Sequence, residues 1–317
     1  MLKYVVVVVL LSSIGYFYNK YKKKTDYEKN CNNIDIINQY LLNKDTNLSG
    51  KPILWVHISN SVNARSWESF FSRNNEKNNQ PYITLCIKSM IKHCGDSFNV
   101  CIINDASFFK LIPGWKIDLE KVAEPLKHQL RTLAMAKVLF YYGGLTIPPS
   151  TIVLKDLKEI YNRTTLGGGV VIGEMINKTN LHDHSNFMLN KKFLGCQKNN
   201  KVMRQFIDFL ERRLSKDCSS ESEFLGTFSK WFYKKNPNII NGVEIGTRDS
   251  NKKPIRLDDL MSSNVQFHES MHCIYIPSDE IIKRNKYGWF ARQNESQILD
   301  SNSILSKYLA LSQAESQ

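Results

Sequence analysis

The sequence predicts an α/β fold with a mainly parallel central sheet, and three observations predict it. Short apolar runs at 51–58, 98–103, 145–147 and 170–172 have the length and composition of buried strands. Between the first three lie segments whose apolar residues recur at helical spacing, giving the strand–helix alternation of βαβ units. Gly143 stands where the second helical pattern must stop, immediately ahead of a strand, as a left-handed helix cap does.

Taken in order, the chain opens on an uncharged, mostly apolar stretch at 4–18. As a helix it is about 22 Å long, short of a hydrocarbon core of about 30 Å. Met1, Leu2 and snorkelling of Lys3 and Lys20 extend it to a full span, with Tyr16 and Tyr18 as interfacial aromatics. No small-x-small cleavage site follows, and Lys22-Lys23-Lys24 come next, so an uncleaved anchor is favoured over a signal peptide. The expected organisation is a single-pass anchor over 1–24, meeting the membrane through residues 2–18, then a polar stalk over 25–50. Lysines 20, 22, 23 and 24 outweigh Lys3, which favours the cytosolic side for the bulk of the protein, with the lumenal side as the alternative.

The main domain is expected over 51–300, with a tail at 301–317. After the first strand, 72–80 reads as a polar loop, and 82–93 as a helix. Leu126, Leu130, Leu133, Ala134, Val138 and Tyr141 form one helical face after Pro125, a good first-turn residue. The strand at 145–147 ends at Pro148-Pro149, which neither donates ladder hydrogen bonds nor continues a helix. Val202, Phe206, Phe209, Leu210 and Leu214 mark an amphipathic helix. Ser220-x-x-Glu223 has the form of a capping box, with Phe224, Leu225, Phe228, Trp231 and Phe232 following as a core-facing stripe. The stretch 274–291, aromatic and basic, is either a lid or a wrap around the domain, the wrap being favoured.

A net charge of +13 reads first as a solvated lysine-rich surface, and alternatively as attraction to anionic partners: lipid, nucleotide diphosphate or nucleic acid. No nucleic-acid module or aromatic platform accompanies the charge, so nucleic acid is not expected. Seven scattered cysteines lack metal-ligand spacing, and several fall inside apolar runs, which reads as buried reduced thiols and a cytosolic setting. His182-Asp183-His184 could offer two imidazoles to a metal, but no third ligand is identifiable, and no metal site is assigned.

Residues 131–150, running on to Lys155-Asp156-Leu157, resemble the donor-site segment of glycosyltransferases with a DXD sugar-binding region, the capsular-polysaccharide-synthesis type included. Residues 51–58 are similar to that family's opening strand, 81–90 to its first helix and 98–105 to its second strand. Residues 185–190 resemble, more weakly, its acceptor-side Asn-containing segment. The likeness runs from Lys51 to about Leu210. It implies a GT-A-type, Rossmann-like domain acting on a nucleotide-sugar, with a glycan or protein acceptor.

In the family two carboxylates at the strand end hold a metal on the donor diphosphate. Here those positions are Pro148 and Ser150, so no Mn or Mg is expected at the usual place, and no other cofactor. The family's helical Asp and Arg map to Thr132 and Met135. The resemblance thus implies sugar transfer by a metal-independent or altered site, or a catalytically inactive descendant serving as a binding or structural membrane protein. Donor-side candidates are His57, Asp105, Arg131, Gly143, Gly144, Pro148, Ser150 and Lys155, with further cations at Lys283, Arg284 and Lys286. Asn186 is the acceptor-side candidate. Asp183 and Glu174 are the candidate catalytic carboxylates.

Overall fold

The computed structural model describes residues 50–59, 80–177, 186–216 and 226–314. The anchor over 1–24, most of the stalk, His182-Asp183-His184 and the capping box at Ser220 lie outside these residues. Among the described residues no helix is long and apolar enough to cross a membrane.

Six strands form one sheet in the order β2-β1-β3-β6-β5-β7. They are β1 (Ile53–His57), β2 (Asn99–Ile103), β3 (Gly144–Ile147), β5 (Val171–Ile176), β6 (Phe187–Cys196) and β7 (Asn238–Ile240). β1 pairs parallel with β2 and β3, and β5 pairs parallel with β7. β6 alone runs against its neighbours β3 and β5. The expected mainly parallel sheet is therefore present, with one antiparallel strand set into it. β4 (Thr151–Val153) and β8 (Cys273–Tyr275) make a separate antiparallel pair.

Eleven α-helices are described. They are α1 (Tyr82–Cys94), α2 (Phe108–Leu111), α3 (Leu126–Tyr142), α4 (Lys158–Thr165), α5 (Lys201–Lys216), α6 (Thr227–Tyr233), α7 (Leu257–Leu260), α8 (Ser278–Lys283), α9 (Gly288–Arg292), α10 (Glu295–Leu299) and α11 (Ile304–Gln313). Alternation within each strand splits the core between the sheet's two faces. Trp55, Ile172 and Leu194 pack with α3, α5 and α6 on one side. Leu54, Val56, Leu145, Ile147 and Val171 pack with α1, α4 and β8 on the other. A third apolar cluster joins Tyr82 to Phe290, Leu305 and Leu309.

That third cluster decides two expectations. The stretch 274–291 is a wrap: Tyr287 and Phe290 are buried, and the Phe290 ring lies 5.1 Å from that of Tyr82. The residues read as a tail from 301 onward carry α11, whose Leu305 and Leu309 are fully buried and whose Gln313 side chain donates to the Leu85 carbonyl of α1. The packed domain thus continues past residue 300.

Candidate functional site

In an open parallel sheet, the carboxyl ends of the strands and the connections leaving them form the usual ligand crevice. Here those ends are His57 of β1, the turn after β2, and the Pro148-Pro149-Ser150 corner after β3. The hairpin ends Asn177 and Asn186 lie along the same edge, where the Asn177 N–H donates to the Asn186 carbonyl at 2.8 Å.

Three sequence-predicted residues meet there. Asp105 follows β2 and receives His57 Nε2 at 3.0 Å. The Arg131 guanidinium, from the first half of α3, donates to both its oxygens at 2.6 to 3.1 Å. The side chains are only 13 to 20% exposed, so the pairing is well shielded from water. Burial works to raise the Asp105 pKa, but the His57 and Arg131 contacts prevail and hold it well below the usual carboxylate range. The His57 ring also stacks on Phe108 of α2, 5.4 Å between centroids. The arrangement clamps the ends of β1 and β2 to α3.

The corner after β3 departs from expectation. Ser150 is buried, its hydroxyl donates to the Ile276 carbonyl at 2.8 Å, and its own carbonyl accepts from the Ile276 N–H. The hydroxyl that the sequence offered to a phosphate is spent on holding β4 against β8. Pro148 sits half-buried ahead of it. The corner supplies no carboxylate, so its donor set does not fit a divalent cation, and no group of three metal-capable side chains occurs among the described residues.

Gly143 and Gly144 lie at the amino end of β3, across the sheet from the crevice. Gly143 caps α3 at φ +73°, and its carbonyl accepts from the Trp55 indole at 2.8 Å. Gly144, at φ +104°, has β1 pressed against it: a β-carbon there would stand 2.2 Å from the Ile53 carbonyl oxygen. Their role is packing rather than donor contact. Lys155 also leaves the crevice, because β4 carries the chain back toward the amino edge. There the Asp156 carboxylate accepts from Ser97, just ahead of β2, while Lys155 donates to the Glu269 carbonyl.

Glu174 stays near the carboxyl edge but is committed. One carboxylate oxygen accepts from the Gly242 N–H at 3.1 Å and the other pairs with Arg248. That pairing is a structural anchor and takes Glu174 out of the role of free base. Asn186 is exposed at the start of β6, while Asp183 lies outside the described residues. Arg284 and Lys286 pair with Asp258, and Lys283 is exposed at the end of α8.

Sequence reasoning missed two further cations, Lys191 and Lys192 of β6. Lys191 donates to the Thr132 hydroxyl at 2.6 Å, at the position where the resembled family often has an acid. Lys192 turns to the other face and donates to Tyr275 Oη at 2.6 Å and Asp279 Oδ2 at 3.1 Å. Burial opposes the Lys192 charge, but the Tyr275 and Asp279 oxygens outweigh it and push its pKa above the ordinary lysine value. The available signal was a lysine pair in the middle of an apolar strand.

No family model matches the chain, and no curated protein does. Solved structures do. Mouse xyloside xylosyltransferase 1 in its apo form is 7% identical at TM-score 0.43, covering 72% of this chain and 98% of its own. The galactosyltransferase LgtC with donor and acceptor sugar analogues is 10% identical at TM-score 0.37, covering 82% and 94%. The PaToxG glycosyltransferase is 16% identical at TM-score 0.34, covering 73% and 82%. At such scores the fold description rests on the sheet's own topology.

Proposed function

We propose that this protein is a membrane-anchored glycosyltransferase-like protein that handles a nucleotide-sugar at the carboxyl edge of β1, β2 and β3 without a carboxylate-held metal. The observation carrying this reading is the clamp of His57, Asp105 and Arg131 at that edge, with Lys191 on the α3 face of the sheet, Lys192 on the opposite face, and a neutral Pro-Pro-Ser corner after β3. Loss of a nucleoside diphosphate builds negative charge on the pyrophosphate, and preorganised cations stabilise such charge. The Asp105 pair fixes the crevice wall, and the lysines supply the positive side.

A second reading is favoured by one feature. Of the described carboxylates at this edge, Asp105 and Glu174 are bonded to arginines and Asp279 to Lys192, which leaves none of the three ready to take an acceptor proton. An inactive protein that binds a nucleotide or its sugar would keep the same clamp.

Thermal melting of the full-length protein with nucleoside diphosphates and nucleotide-sugars, in manganese and in EDTA, separates the possibilities. Donor handling without metal raises Tm equally in both buffers, and activity adds release of nucleoside diphosphate. A rise without release supports the binding protein. A rise confined to manganese, or none, contradicts the proposal. The anchor over 1–24 predicts that the full chain stays with membranes after carbonate washing, while a chain starting at residue 25 does not.

A further inference from the structure

We propose that Lys192 is the cation that holds the diphosphate at the carboxyl edge, and that Asp279 is the internal counter-ion which the diphosphate displaces. The inference rests on the donor reading above and names the residue that meets the donor's charge.

Lys192 lies in a bulge. Pairing between β5 and β6 steps from Ile172↔Leu194 to Gly173↔Asn190, so residues 191–193 stand opposite a single step of β5. A bulge breaks side-chain alternation and re-aims what it carries. Lys191 is sent to Thr132 on α3, whereas Lys192 and Phe193 both turn toward Tyr275. Without the extra residues, two successive side chains would take opposite faces.

Tyr275 ties this ammonium to the corner. It is the residue of β8 paired with Thr151, and its neighbour Ile276 exchanges hydrogen bonds with Ser150. The Lys192 head therefore stands one side chain away from the turn where the resembled family keeps its metal. An ammonium has three protons to donate. Tyr275 and Asp279 take two, and the side chain is 25% exposed.

The two acceptors differ. Tyr275 is buried within the domain, so its hydroxyl is a fixed partner. Asp279 rides on the first turn of α8 with its side chain 64% exposed, so a ligand can compete with it from solvent. A diphosphate oxygen offers more charge than Asp279 and displaces it without moving the backbone. Lys192 then acts as a point charge toward phosphate, a common use of lysine.

The test is calorimetric titration of full-length protein with inorganic pyrophosphate and with UDP and GDP, all in EDTA. Wild type is compared with Lys192→Met, Lys192→Arg and Asp279→Asn. We expect Lys192→Met to weaken binding by about tenfold or more, and Lys192→Arg to keep it within about threefold. Asp279→Asn tightens binding by about threefold, because the competing anion is gone. A merely structural lysine would not produce this opposite pair of shifts. If wild type binds and Lys192→Met binds equally well, the inference fails while the donor reading stands. If wild type binds none of the probes, both fail. Should Lys192→Met lose its cooperative melt, Asp279→Asn decides: unchanged or weakened binding overturns the proposal.

Discussion

The two ends of β3 sit four residues apart and are governed by different physics. At the amino end Gly143 and Gly144 are fixed by space: both have positive φ, and β1 backbone leaves no room for a side chain on Gly144. At the carboxyl end no comparable crowding acts on the chemistry. Pro148 and Pro149 set the turn, Ser150 stitches it to Ile276, and the neighbouring charge comes from Lys192 on another strand. A single sequence signature, Gly-Gly followed by a short strand and a turn, thus divides into a packing half and a half facing the crevice. The resemblance treated it as one donor-binding unit.

That division is breakable by mutation, and the largest expected effect lies at the amino end. Gly144→Ala combines a disfavoured φ with a backbone clash, so we expect a loss above about 4 kcal/mol and a chain that fails to fold, read by circular dichroism. Next comes the clamp across the crevice. Asp105→Asn leaves Arg131 without its carboxylate and should cost about 3 kcal/mol in chemical denaturation. Its pH signature has a defined sign. The Asp105 carboxyl is held below its ordinary value of 3.8, so its stabilisation is present above that pH and fades as pH falls below it. Wild type should lose stability between about pH 4 and pH 2 more steeply than Asp105→Asn. The smallest effect belongs to the corner: Ser150→Ala removes one buried hydrogen bond, costs about 1 kcal/mol, and leaves pyrophosphate affinity unchanged. A loss of affinity there would return Ser150 to the donor side and blur the contrast between the two ends.

Much of the frame was legible in the sequence. The helix begun at Leu126 and ended by Gly143 was readable because periodicity and a left-handed cap are local signals. The helix at 82–93 and the strands at 98–103 and 145–147 came from the same kind of evidence. Buried thiols were also readable: Cys86 and Cys101 lie inside apolar elements, and burial pushes Cys101 up to about 12. Long-range partners were not readable. Ser150 looked available because its acceptor, Ile276, is 126 residues away. Glu174 looked like a base because Arg248 and Gly242 lie well downstream. Lys192 was hidden for the same reason: Tyr275 and Asp279 are 83 and 87 residues away. The clamp of His57, Asp105 and Arg131 fell between these cases. Its members were named from the resemblance, but their contact with one another was visible only once β1, β2 and α3 were assembled.

The central claim is one of place: the ligand sits at the carboxyl ends of β1, β2 and β3. Elsewhere, a cavity of about 580 Å³ lined by Arg163, Ile239, Asn241, Glu244, Lys252 and His268 offers a competing location beside β7. Amide hydrogen exchange of the full-length protein, with and without saturating UDP or GDP in EDTA, compares the two directly. The account predicts added protection at residues 57–59, 104–107, 150–152 and 190–193. It is contradicted by protection centred on 239–252 and 268–270 with those four segments unchanged.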